Sequence, residues 1–204
     1  MGKYVAICGL LAAAWFALPA PNQQSKELKI PAELVAIAQQ TKAGGLFEFE
    51  MDAAGTVLGF SCEIAPSSVP KACVDAAEKA APGGKVTGAE KEVMAGVTYF
   101  EVLKEIDGRS IEILLTPDGK VAGREDELKL ADVPKNVLDA ANAAVPAGEV
   151  VAVEKVTGPE ALGATEHHVK KKVEGEILRI SVLESGKVGR VLRKLRAEVK
   201  IPRG

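Results

Sequence analysis

The chain has 204 residues, 47% of them hydrophobic, which is enough to bury a substantial core and is not the composition of a disordered protein. A formal net charge of −2 and an aromatic content of 4% argue against nucleic acid as a partner, since neither a basic field nor stacking platforms are present.

The N-terminus carries Lys3, an apolar run from Tyr4 to Leu18, and a small, polar exit through Pro19-Ala20-Pro21-Asn22. This order reads as a secretory signal peptide over residues 1–21, because an apolar core of about 15 residues falls short of the roughly 20 that span a bilayer. The expected localisation is exported, periplasmic or extracellular, with membrane contact only if the leader stays uncleaved. Residues 22–66 read as a shortened unit. It has a helix from Pro31 to about Ala43, stopped by Gly44-Gly45, and one hairpin from Leu46–Met51 and Thr56–Glu63.

At Ser67 the pattern restarts. Residues 67–131 begin with a helix capped by Ser68, with Val69, Cys73, Ala76, Ala77 and Ala80 on its buried side and Pro82-Gly83-Gly84 as its stop. Strands follow near 85–93, 97–106, 110–116 and 119–130. Residues 132–204 repeat the scheme, with Asp132 as the cap, Val133, Val137, Ala140, Ala141 and Ala144 as the buried side, and strands near 149–157, 165–173, 177–184 and 187–200. Pro70 and Pro134 are 64 residues apart (134 − 70), while Gly96 and Gly163 are 67 apart (163 − 96); the three extra residues fall around Thr157 to Ala164. Asp107-Gly108 and Glu174-Gly175 suit the left-handed backbone of tight hairpin turns, as do Asp118-Gly119 and Ser185-Gly186. A period this long, with one helix and four strands in each unit, predicts an α+β fold of tandem helix-plus-four-stranded antiparallel sheet modules, preceded by a shortened helix-hairpin copy.

Few residues offer chemistry. His167 and His168 are neighbours on a strand, face opposite sides, and cannot ligate one ion together, so no metal site is expected. The serines sit in caps, turns or strands, with no Gly-x-Ser-x-Gly, Ser-x-x-Lys, His-Glu-x-x-His, Cys-x-x-Cys or phosphate loop. Neither an enzyme nor a cofactor is therefore expected. Cys62 and Cys73, the two cysteines after the leader, form a candidate disulfide in an oxidising compartment; two buried thiols are the alternative. Glu125-Asp126-Glu127 is acidic where the second copy has Arg193-Lys194-Leu195-Arg196. That basic run reads as a solvated edge strand or as a surface for an acidic partner.

Alternation on the second strand puts Phe100, Val102 and Ile106, with Lys104, on the helix side and Tyr99, Glu101, Leu103 and Glu105 on the other. One helix covers one side of a sheet, so the second side is expected to be free for a partner, with Tyr99, Glu101 and Leu103, and His168 at the matching site, as its contacts.

The order of helix, Pro-Gly stop, Tyr99-Phe-Glu-Val-Leu-Lys-Glu-Ile-Asp-Gly108 and Ile111-Glu-Ile-Leu-Leu-Thr-Pro-Asp-Gly-Lys-Val121 resembles the PepSY and PepSY-like domains of exported bacterial proteins, over about 66–202. The resemblance implies a layout similar to the beta-lactamase inhibitor protein and a non-enzymatic module that binds or restrains a protein, often a peptidase. The alternatives are a small-ligand or metal-binding envelope protein and, behind it, a hydrolase. The pattern is one of hairpins, so it carries no catalytic residues.

Overall fold

Three α-helices and ten strands are formed by the residues that the computed structural model describes, 32–51, 56–161 and 163–193. The expected leader, Pro31, the turn at 52–55 and the basic tail beyond Arg193 lie outside the described residues. Helix α1 spans Ala32–Ala38, α2 Lys71–Ala80 and α3 Lys135–Ala144. The strands are β1 (Phe47–Met51), β2 (Val57–Glu63), β3 (Lys85–Met94), β4 (Val97–Ile106) and β5 (Arg109–Leu115), followed by β6 (Val121–Glu127), β7 (Glu149–Thr157), β8 (Glu166–Val173), β9 (Glu176–Leu183) and β10 (Val188–Arg193).

The expectation of tandem helix-plus-four-strand modules is corrected by the sheet. All ten strands form one antiparallel sheet in sequential order, a half-barrel with few helices. The seam that joins the two expected modules is the β6–β7 pairing, with Arg124 opposite Thr157 and Glu127 opposite Glu154. Two glycines permit it. A Cβ on Gly123 would lie 2.6 Å from the Thr157 carbonyl oxygen, and one on Gly158, whose φ is +98°, would lie 2.5 Å from that of Ala122. The first hairpin joins in the same way, as β2 pairs with β3 from Gly59 opposite Met94 to Glu63 opposite Glu90.

Local expectations fare better in the strands than at the helix ends. Asp107 and Glu174 have φ of 52° and 50° ahead of glycines that also have positive φ, the backbone of a two-residue hairpin turn. Helix α1 is shorter than expected, because the Lys42 amide donates to the Glu63 carbonyl (2.8 Å) and draws the chain onto β2. Ser68 and Asp132 are not the caps. Each ends a 3₁₀ turn, and the helix after it starts from Pro70 or Pro134 in extended backbone with no side-chain cap.

The core lies on the helix side of the sheet in two clusters. Ile37, Cys62, Cys73, Ala77, Val102, Ile113 and Leu115 pack under α1 and α2; Val137, Ala141, Val153, Val169, Ile180 and Val182 pack under α3. Each fully buried aliphatic side chain contributes about 1.5–3 kcal/mol. Cys62 and Cys73 sit in the same cluster as free, buried thiols, and Cys73 Sγ lies 3.4 Å from the Thr116 carbonyl oxygen. The bridge weighed between them is not formed in this structure.

A lysine spans each core. Lys104, 1% exposed, donates from Nζ to the Ala81 carbonyl and Glu78 Oε2, both at 2.5 Å, which satisfies the C-terminal end of α2. Lys171 does the same for α3, donating to the Val145 carbonyl (2.7 Å) and Asn142 Oδ1 (2.8 Å). These partners are the residues that the 64- and 67-residue offsets superpose. Lys104, expected on the helix side, thus serves as a helix cap that reaches through apolar surroundings.

Candidate functional site on the inner face

The sheet's other face carries a large set of ionisable groups, because alternation sends Glu92, Glu101, Glu112, Glu125, Glu154 and Glu166 there. Register aligns them in rows. Leu103 is opposite Glu112 and Glu112 opposite Glu125; Glu154 is opposite His168, and His168 opposite Ser181, which is opposite Arg190.

The sheet rolls toward this face. Strands are spaced about 4.8 Å apart, so a flat sheet would hold β1 and β9 on the order of 40 Å from each other. Instead Glu50 on β1 takes Arg179 Nη2 of β9 at 2.7 Å and Arg190 Nη1 of β10 at 2.6 Å. Arg190 also donates to the Glu160 carbonyl (3.2 Å), which pins the β7–β8 loop to the same place. Among the described residues the edges β1 and β10 share no backbone pairing, and the side chains of this clasp bridge the half-barrel.

Rolling buries charge. Burial, reinforced by Glu160 and Glu90, raises the Glu92 carboxyl to about 8, and burial with Glu154 beside it raises Glu112 to about 7. Glu101 and Glu125 are held well above the ordinary carboxyl range, first by burial and then by neighbouring acids: Glu112 and Glu160 for Glu101, Glu160 and Glu154 for Glu125. Burial works against the Lys170 ammonium, but Glu154, Glu112 and Glu125 outweigh it and hold that pKa above its usual value. His167, on the helix side of β8, is lowered by burial.

His168 sits at the centre, 1% exposed. Its Nε2 lies 2.6 Å from Oε1 of the fully buried Glu166, and its Nδ1 lies 3.6 Å from Glu125 Oε1. Glu154 takes Lys170 Nζ on Oε1 at 2.5 Å. Two solvent-excluded atoms here have no hydrogen-bond partner, His168 Nδ1 and Glu154 Oε2. Ser181 faces His168 in register, yet its Oγ is approached by Arg190 Nε (3.5 Å), and both imidazole nitrogens face carboxylates. Among the described residues no hydroxyl is poised against the imidazole as a nucleophile would be against its base.

The four residues expected on a free face do share one, and rolling covers it. Glu101 is 8% and His168 1% exposed, while Tyr99 and Leu103 are half-buried. The histidines point to opposite sides, as alternation requires. Sequence reasoning passed over Glu154 and the Glu50 clasp, took Glu125 only as part of an acidic run, and placed Glu166 beside His168 on the free face without a role. The signal available was their shared inward parity; what was missing was the register that sets them beside His168. The apolar surface that does stay open is on the helix side. There short α1 leaves Phe49 38% and Leu58 47% exposed, next to a groove of about 520 Å³ lined by Ile37, Phe60 and Val93, with Gln40 and Lys91 among its polar lining residues.

The fold is thus a sequentially wound antiparallel half-barrel with helices outside and ionisable groups inside. Among solved structures it is similar to a BLIP-like protein from Bacteroides fragilis, at 23% identity and a TM-score of 0.46 over 66% of this chain and 93% of that one. It is also similar to a DUF2874 family protein from Bacteroides uniformis (16% identity, TM-score 0.47, 61% of this chain and 88% of that one). A candidate periplasmic protein from Bacteroides eggerthii matches at 20% identity and a TM-score of 0.49 over the same shares of the two chains. No protein-family model matches the chain, and no curated protein does.

Proposed function

We propose that this is an exported, non-enzymatic binding protein that engages a protein partner. The observation that carries the reading is the open apolar surface around Phe49, Leu58 and the adjoining groove. The ten-residue helices α2 and α3 cover the corresponding sheet surface elsewhere, whereas α1 has seven residues and does not. Exposed aromatic and aliphatic side chains beside a groove rimmed by polar groups match the composition of an interface core. The leader read over residues 1–21 supports export.

Phe49→Glu combined with Leu58→Glu tests the surface in a crosslinking pull-down from the exported fraction. A partner recovered with the wild type and lost with the double variant supports the reading. Recovery of no protein, or equal recovery with both, overturns it. Tyr99→Ala with Leu103→Ala is the arm for the inner-face contacts, at which Glu101 and His168 would meet a partner only if the half-barrel opened.

A further inference from the structure

We propose that His168, Glu125 and Glu154 form a binding site for one divalent transition-metal ion of the zinc class. The three residues come from adjacent strands β8, β6 and β7, and each offers a ligand atom within 4.8 Å of the other two. His168 Nδ1 and Glu125 Oε1 are already 3.6 Å apart. Bonds of about 2.0–2.2 Å in a tetrahedral arrangement place ligand atoms about 3.3–3.6 Å from each other, so the His168–Glu125 pair already has ligand spacing and the Glu154 oxygen must close in from within 4.8 Å.

The stronger argument is what the atoms lack. His168 Nδ1 and Glu154 Oε2 are solvent-excluded and without hydrogen-bond partners, and buried polar atoms rarely stay so. The opposite atom of each side chain is engaged: His168 Nε2 by Glu166 Oε1 at 2.6 Å and Glu154 Oε1 by Lys170 Nζ. With the Nε2 proton donated to Glu166, Nδ1 carries a lone pair that faces a carboxylate oxygen. A proton on the Glu125 oxygen would not join the two atoms at 3.6 Å, whereas a cation between them satisfies both. A doubly protonated ring does not resolve this, because 3.6 Å is too long for the Nδ1–H to bond Glu125. A carboxylate bound to the far nitrogen of a histidine is also the arrangement that orients an imidazole toward a metal.

The repeat supplies an internal control. The offsets place Ser61 where Glu125 stands (125 − 64), Glu90 where Glu154 stands (154 − 64) and Glu101 where His168 stands (168 − 67). Those positions therefore lack the imidazole and the Glu125 carboxylate, and among the described residues the set exists once. An imidazole with two carboxylates suits zinc and its first-row neighbours; magnesium and calcium favour all-oxygen shells.

The test is zinc titrated calorimetrically into chelator-treated, dialysed full chain, with two-dimensional NMR of the imidazole nitrogens. One ion per chain is expected, with a metal-induced shift at His168 Nδ1 and none at His167. His168→Gln should abolish binding, the isosteric Glu154→Gln and Glu125→Gln should each weaken it at least about 10-fold, as loss of a metal-site group does, and His167→Gln should leave it unchanged. Failure of the folded wild type to take up one equivalent overturns the proposal. So does undiminished binding by folded Glu154→Gln and Glu125→Gln, whatever His168→Gln does to folding. Displacement of zinc by an equal concentration of magnesium would overturn the assignment of metal class.

Discussion

Replacing Lys104 with methionine isolates the function of the buried ammonium, because methionine keeps most of the apolar stem. The structure gives three terms. The Ala81 carbonyl, in a residue 3% exposed, loses its donor at Nζ, and stranding a buried acceptor costs about 1–3 kcal/mol. Glu78 is left facing water and keeps the bond from the Gly83 amide (2.8 Å), so no buried charge is orphaned. Losing the charge-assisted bonds is offset by release of the ammonium's desolvation cost, terms of similar size and opposite sign. The net expectation is a loss of about 2 kcal/mol, which moves a urea midpoint down by about 1 M with the slope unchanged. Lys104→Ala removes the stem as well and should lose about 4–5 kcal/mol, since each buried methylene is worth about 0.8 kcal/mol before any cavity term. Urea unfolding followed by circular dichroism measures both, with Glu78→Gln expected to lower the midpoint as well, because it removes the counter-charge while the ammonium stays buried. A Lys104→Met protein as stable as the wild type would refute the capping role and mean that the helix end is hydrated.

Glu92 sets a pH dependence. Its folded pKa of about 8 lies above the ordinary 4.5, so the stability it contributes is full below about pH 4.5 and lost as pH rises through about 8, under the influence of Glu160, Glu90, Glu50 and Arg179. Glu92→Gln should match the wild type below about pH 4 and exceed it by on the order of 3 kcal/mol at pH 9, below the ceiling of about 5 that 1.36 kcal/mol per unit allows once partial solvent access is counted; parallel stability curves across that range would contradict the assignment. Breaking the clasp with Glu50→Gln should cost about 1 kcal/mol at low salt and less at 1 M salt, because its three side chains are only partly buried; a loss that salt does not change would count against an ionic closure. Burial raises the Cys62 and Cys73 thiols, so iodoacetamide at pH 8 should label them slowly in the native protein and fully in unreduced, urea-unfolded protein; absence of labelling after unfolding would establish a disulfide.

Much of the local structure was legible. Alternation placed Val102 and Lys104 on one side of β4 and Glu101 and Leu103 on the other, and the Asp-Gly and Glu-Gly pairs located the middle turns, because both depend on neighbours a few residues away. The helix starts were not legible in the same way. Ser68 and Asp132 have cap-forming side chains, yet Pro70 and Pro134, with their φ already set, begin the helices two residues later. The module boundary failed for a related reason: a turn signal reports that the chain reverses, and says nothing of whether the next strand joins the sheet already built.

The sequence by itself determined which residues alternate, where the chain turns and which positions recur, since period and turn chemistry are written in short stretches. The tertiary structure alone decided that ten strands share one sheet, that the sheet rolls until Glu50 meets Arg190 across 140 residues, and that His168 is enclosed by Glu125, Glu154 and Glu166. Curvature and edge pairing are sums over many long-range contacts, in which close approaches such as Gly123 against Thr157 count as much as any motif.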